Sequence, residues 1–217
     1  MPSRNYVINV EDLSLTDRKN YKIAALAAGL ERCAAKGVGS PEADIPGLQG
    51  IQSAQKAQRV RTIRSYIEAG NWPRSVDVRE LAPGPAAVRT DFVVPTVLAQ
   101  ALTAPLAAVN TWYSCFQAVA APQLLTGKLL VIWGVSVTTV PIPVIYLQFL
   151  RGTNVQALFD LQTQNARLAF DAYLSEPVVF DPQDTFAVQV LASIALGAAA
   201  EVHLHNFLFE KAGDTIA

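Results

Sequence analysis

Glu201-Val-His203-Leu-His205 carries both histidines of the chain and one carboxylate at a spacing of two. On a β-strand that period sends all three side chains to one face. Two imidazoles and a carboxylate are a donor set for iron or zinc. The chain has only 2 histidines in all, and the plainer reading is a pair of partly solvated strand histidines. The expectation is therefore no metal and no other cofactor, with Glu201, His203, His205 and Glu210 as the alternative site.

Nucleophilic chemistry has less to build on. Cys115 lies in Trp112-Tyr-Ser-Cys-Phe116, an apolar setting that suits an inert thiol better than an activated thiolate. No Gly-x-Ser-x-Gly elbow, phosphate loop or dinucleotide fingerprint occurs. Asp181 and Asp184 flank a turn, where capping of the next strand is their ordinary work. The expectation is a protein without catalytic residues. Aromatic pairs such as Trp112 with Tyr113, or Trp133 with Tyr146, have the flat apolar faces of a carbohydrate-binding module. The reading adopted for Trp112, Tyr113 and Trp133 is a core or subunit-interface position.

These residues sit in or near an unusual stretch. Between Asp91 and Arg151 the only formal charge is Lys128, so 59 residues carry a single charged side chain. A membrane helix needs about 20 apolar residues, and residues 129–150 are all uncharged. Pro141 and Pro143 would break such a helix, and Val131, Ile132, Val135, Val137, Thr138, Thr139 and Val140 favour a pleated strand. A small membrane protein is thus a rival reading, and no membrane partner is expected. Strands of this kind, low in charge but not in polarity, suit contact with neighbouring subunits.

The whole chain is 51% hydrophobic and 16% charged, which puts it well below the usual charged share of about 25%. Residues 1–91 hold 13 Lys and Arg against 10 Asp and Glu, and residues 92–217 hold 4 against 8. The nearest thing to a basic patch is Lys56, Arg59, Arg61 and Arg64, and on a helix three of these scatter into a solvated surface. Nucleic acid is therefore not an expected partner. The two cysteines, Cys33 and Cys115, imply neither a disulfide framework nor a zinc site. The first residues lack the apolar run of a secretory signal, which sets the expected site of assembly in a cytoplasm.

The elements follow from periodicity. Tyr6 to Val10 reads as a short extended segment, and residues 1–12 or 70–91 read as arms reaching to neighbours. Ser14 or Thr16 caps a helix that runs to Lys36 and stops at Gly37. Residues 39–50 form a loop, and a second, polar helix spans 49–69. From there to Arg89, Trp72-Pro73 and Pro83-Gly-Pro85 mark an extended connector. Eight or nine short strands then follow at about 8–12-residue intervals, the pattern of an antiparallel sandwich or barrel. Helix competes with strand over 95–108 and 191–200. The expected fold is α+β: an N-terminal helical region (1–70), an extended arm (71–91), and a jelly-roll-like antiparallel β-sandwich (92–217).

Two resemblances attach to these residues. Gly197, His203, His205 and Glu210 resemble the first metal-binding motif of the cupins, which implies a metal-dependent jelly-roll enzyme as an alternative. That family takes a further histidine from a second motif, and this chain has none to give. Residues 128–214 resemble the jelly-roll or β-sandwich portion of the capsid decoration, or cement, proteins of tailed bacteriophages. The resemblance rests on Ser175-Glu-Pro-Val-Val-Phe180, on Asp181-Pro-Gln-Asp-Thr185 leading into an alternating strand, and on Phe209-Glu-Lys-Ala-Gly-Asp214. It implies a non-enzymatic structural protein of the virion, commonly a homotrimer on the capsid surface, whose partners are its own copies and the major capsid protein.

Overall fold

A computed structural model describes residues 5–81, 88–89, 91, 93, 96–97, 108–114, 122–138, 143–161, 170–195 and 202–213. The chain is a mixed α+β protein built on a large curled sheet of nine strands. In chain order the strands are β1 (Asn5–Asn9), β2 (Val76–Arg79), β3 (Val88–Arg89), β4 (Thr96–Val97), β5 (Trp112–Ser114), β6 (Lys128–Val137), β7 (Val144–Arg151), β8 (Asn154–Asp160), β9 (Phe170–Phe180), β10 (Phe186–Ala192) and β11 (Val202–Lys211). The sheet runs β2-β11-β6-β9-β1-β8-β7-β10-β5, and β3 pairs with β4 alone.

β1 is the hinge of the sheet. Val7, Ile8 and Asn9 pair antiparallel with β9, whereas Asn5 and Tyr6 pair parallel with β8. One strand thus joins two antiparallel halves. Its Val7 enters the apolar cluster that both halves share, with Leu130, Ile132, Val137 and Phe180 from one half and Leu147, Phe149, Phe159, Phe186 and Val188 from the other. Each such side chain contributes about 1.5–3 kcal/mol by leaving water. The segment expected as a free N-terminal arm is, over 5–9, a central strand, because its apolar alternation serves a buried position as well as a lattice contact.

Among the described residues, the helices cover the outside of one half only. α1 (Leu15–Lys36) begins where Ser14 Oγ accepts a hydrogen bond from the Asp17 N–H at 3.1 Å, and ends at Gly37, whose φ of 71° is left-handed. α2 (Pro41–Asp44) is one turn inside the stretch read as a loop, and α3 (Lys56–Glu68) starts later than periodicity implied. Ala27, Leu30, Leu48 and Ile63 pack against Leu129, Val131, Phe207 and Phe209 of β6 and β11. Gly29 lets the Phe209 ring lie directly on α1, in space that any Cβ would fill.

β6 is therefore buried on both faces. Leu130, Ile132, Val135 and Val137 face the shared core, while Leu129 and Val131 face the helices. This accounts for the lack of charge in β6 beyond Lys128: a strand between two apolar layers has no outward face to charge. The cover expected from other subunits comes here from the chain's own helices.

Other expectations change as well. The connector 71–91 holds β2, which pairs with β11 from Leu208 to Lys211, so the sheet takes strands from all three expected regions. Arg59, read as part of a solvated helical surface, is 3% exposed. Its guanidinium donates to the Ile51 carbonyl at 3.1 Å and to Glu42, and stands 3.8 Å from Glu31, so it binds the three helices together. β9 runs unbroken from Phe170 to Phe180, with an irregular register against β6 between Tyr173 and Val178. The Asp181–Asp184 turn appears as expected, and a second turn joins Arg151 to Asn154.

Lys128 follows a turn but does not point to water. It is 7% exposed, with Asp91 at 4% and Glu210 at 0%. Its Nζ lies 3.0 Å from Asp91 Oδ1 and contacts Glu210 Oε2. Arg79 completes the group, with Nε 3.0 Å from Glu210 Oε1 and Nη2 on Asp91 Oδ1. Burial alone would raise the Glu210 pKa, but Lys128 and Arg79 outweigh it and hold the carboxyl below its usual range.

Candidate functional site

The alternation of β11 decides what its ionisable residues can do together. Leu204 and Leu208 belong to the shared core, and Phe207 and Phe209 to the helix side. His203 and His205 therefore share the helix-side face, and Glu210 points the other way, into the buried ion cluster. Glu201 lies outside the described residues. Among the described residues, no three His, Cys, Asp or Glu side chains gather as a metal site. The cupin-like set is not assembled: Glu210 is held by two cations on the opposite face from the histidines.

Register brings His205 to different partners. His203 pairs with Ser136 and His205 with Gly134 on β6, while Ser136 pairs with Asp171 on β9. Gly134 has no side chain to block the imidazole, and a Cβ there would stand 2.6 Å from His205 Cδ2. The ring reaches across it, so that His205 Nε2 is 2.6 Å from Asp171 Oδ1 and 2.8 Å from Ser136 Oγ. Ser136 Oγ donates to the same Asp171 oxygen at 2.9 Å. Burial pushes the Asp171 carboxyl up, but His205, Ser136 and Arg18 more than offset it and leave it below the ordinary carboxylate range.

Serine, histidine and aspartate thus meet, yet not as a nucleophilic triad. A triad uses one ring nitrogen to take the serine proton and the other to receive orientation from the carboxylate. Here one nitrogen, Nε2, faces both. A carboxylate only accepts, so Nε2 carries the proton it shares with Asp171, and the imidazole is not free to take a proton from Ser136. The cluster ties β11, β6 and β9 together. Sequence reading did not single out Ser136 or Asp171; 35 positions apart, they become neighbours only through strand register.

The aromatic residues divide. Trp133 is the extra residue of a bulge in β6, on the helix side, with ring centroids 5.1 Å from Tyr173 and 5.4 Å from Phe207. Tyr113 packs against the shared core. Trp112, on the same short edge strand, faces outward and is 38% exposed. Cys115 lies outside the described residues, and Cys33 is fully buried in the helix layer, where burial pushes its thiol pKa far up.

Trp112 opens a row across the outer face of the half that the helices leave uncovered. It stands beside Leu191 on β10, which stands beside Tyr146 on β7, which stands beside Asp160 on β8, with Tyr6 of β1 next. The adjacent row is Ser114, Gln189, Gln148 and Leu158, with Gln148 Nε2 donating to Gln189 Oε1 at 2.6 Å. Asp160 is the single formal charge in the two rows. Tyr6 and Leu158, 61% and 43% exposed, add apolar area. This face is built from β5, β7, β8 and β10; α1 packs instead on β6, β9 and β11.

No protein family, curated protein or solved structure matches this chain. Among the described residues, no helix is long and apolar enough to cross a membrane.

Proposed function

We propose that this protein is a non-enzymatic structural component of a virion, a decoration or cement protein that self-associates on a capsid surface and bridges major capsid proteins. In this reading the curled sheet is a jelly-roll-like antiparallel sandwich, with the two halves as its layers. The shared core between them supports that assignment.

The observation that carries the reading is the outer face of β5, β10, β7 and β8. A solvated monomer ordinarily spreads charge over such a face. Its two described rows present Trp112, Leu191, Tyr146 and Leu158 among amides and hydroxyls, with Asp160 as the single charge in them. Interface centres are depleted of charge and rich in aromatic residues. Repeated by symmetry, modest contacts of this kind sum to strong attachment.

The test is co-sedimentation of the purified protein with capsid shells, together with its native mass in the absence of detergent. A stable oligomer that pellets with shells supports the proposal. A monomer that stays in the supernatant refutes it.

A second reading has one observation in its favour. Trp112 and Tyr146 flank Leu191 in a cross-strand row beside Gln148 and Gln189, an arrangement of flat rings and amides that a neutral glycan could stack on and bond to. Binding of soluble oligosaccharides by the isolated protein, lost on Trp112→Ala, distinguishes it.

A further inference from the structure

The buried charges beside the shared core place an amine against a carboxyl group in an enclosed space. Lys128 Nζ lies 3.0 Å from Asp91 Oδ1, and both residues are more than nine-tenths buried. Glu210 Oε2 contacts the same amine, and Arg79 Nη2 contacts the same Asp91 oxygen. We propose that Lys128 and Asp91 are joined by an intramolecular isopeptide bond, with Glu210 as the proton carrier.

The step balances without a co-reactant. Glu210 takes one proton from the Lys128 ammonium and passes it to Asp91, leaving a neutral amine beside a neutral acid. The Nζ lone pair attacks Asp91 Cγ. Glu210 then takes a second proton from the nitrogen and gives it to the departing Asp91 oxygen, which leaves as water. An ammonium and a carboxylate become one amide and one water, with Glu210 returned to its ionised form. Arg79, on Oδ1, steadies the negative charge that builds on the retained oxygen.

Three physical arguments favour this fate over a plain ion pair. Two ions withdrawn from water carry a desolvation cost, which condensation to an amide removes while Arg79 and Glu210 remain paired. Groups held together in productive geometry react with effective molarities of about 10⁵–10⁸ M, so confinement of the Lys128 amine beside the Asp91 carboxyl takes the place of a second reactant's concentration. The bond would also close the stretch between Asp91 and Lys128, residues 37 apart, and fasten the chain before it to β6.

Intact mass of the full-length denatured protein tests the proposal. The expected mass is one water below that required by the sequence, with a branched peptide containing Asp91 and Lys128 after proteolysis. Lys128→Arg and Glu210→Gln are each expected to show no water loss. Wild-type protein at full sequence mass overturns the proposal, whether or not the variants fold. Water loss retained in Glu210→Gln overturns the role of Glu210, and water loss retained in Lys128→Arg overturns the assigned bond.

Discussion

Asp181 grips Arg32 through both carboxylate oxygens, at 2.6 Å to Nε and 2.5 Å to Nη2, and so fixes the turn between β9 and β10 to helix α1. Lys36, one turn along the helix, adds a contact at 3.1 Å. Burial raises the Asp181 pKa, but Arg32 and Lys36 outweigh burial and hold its carboxyl below the ordinary aspartate range.

Asp181→Asn should therefore cost about 1–2 kcal/mol in urea unfolding near neutral pH, toward the low end for a charged hydrogen bond because both cations keep access to water. The pH dependence has a definite sign. A carboxyl whose folded pKa is depressed contributes stability above its unfolded value, about 3.9, and loses it as pH falls through the folded value. The gap between wild type and Asp181→Asn should thus be full at pH 6 and shrink below about pH 4. A constant gap down to pH 2 would show that the ion pair is not its source.

Gly29→Ala runs against helix propensity. In an exposed helix that change gains up to about 1 kcal/mol. Here the new methyl group meets the Phe209 ring, which is fully buried, so the variant should lose about 1–3 kcal/mol. Phe209→Leu in the same chain should recover part of the loss, and strict additivity of the two changes would rule out the steric account.

Leu158→Glu places charge on the uncovered outer face. Because Leu158 is 43% exposed, thermal stability should shift by no more than about 0.5 kcal/mol. Shell binding, measured by co-sedimentation, should fall about tenfold or more. Unchanged binding would exclude this face from the contact.

Ser136→Ala tests the reading of the Ser136, His205 and Asp171 cluster as structural. Removing one hydroxyl from a partly buried network should cost about 0.5–1.5 kcal/mol. A serine-directed fluorophosphonate should label wild type and variant equally weakly. Stoichiometric labelling of wild type alone would restore Ser136 as a nucleophile.

Local signals in this chain were legible without the fold. Ser14 and Gly37 bound α1 because a cap and a left-handed stop act within a few residues. The β-branched run and Pro141-Ile-Pro143 spoke for strands over a membrane helix, and β6 and β7 occupy the described parts of that stretch. The alternation of β11 even placed His203 and His205 on one face.

Pairing across long separations was not legible. Nothing local in Tyr6 to Val10 says that it joins β8 to β9, or that β2 lies beside β11. Arg59 read as a solvated residue, and nothing local marked Lys128 for burial, because a charge by itself favours water; Glu31 and Glu42, and Asp91 and Glu210, make burial tolerable for them. By itself the sequence determined helix ends, strand character and the scarcity of charge. Tertiary structure alone decided which faces meet, since register and burial depend on residues far apart in the chain. Through them it turned the lone charge of the long neutral stretch into the centre of a buried cluster.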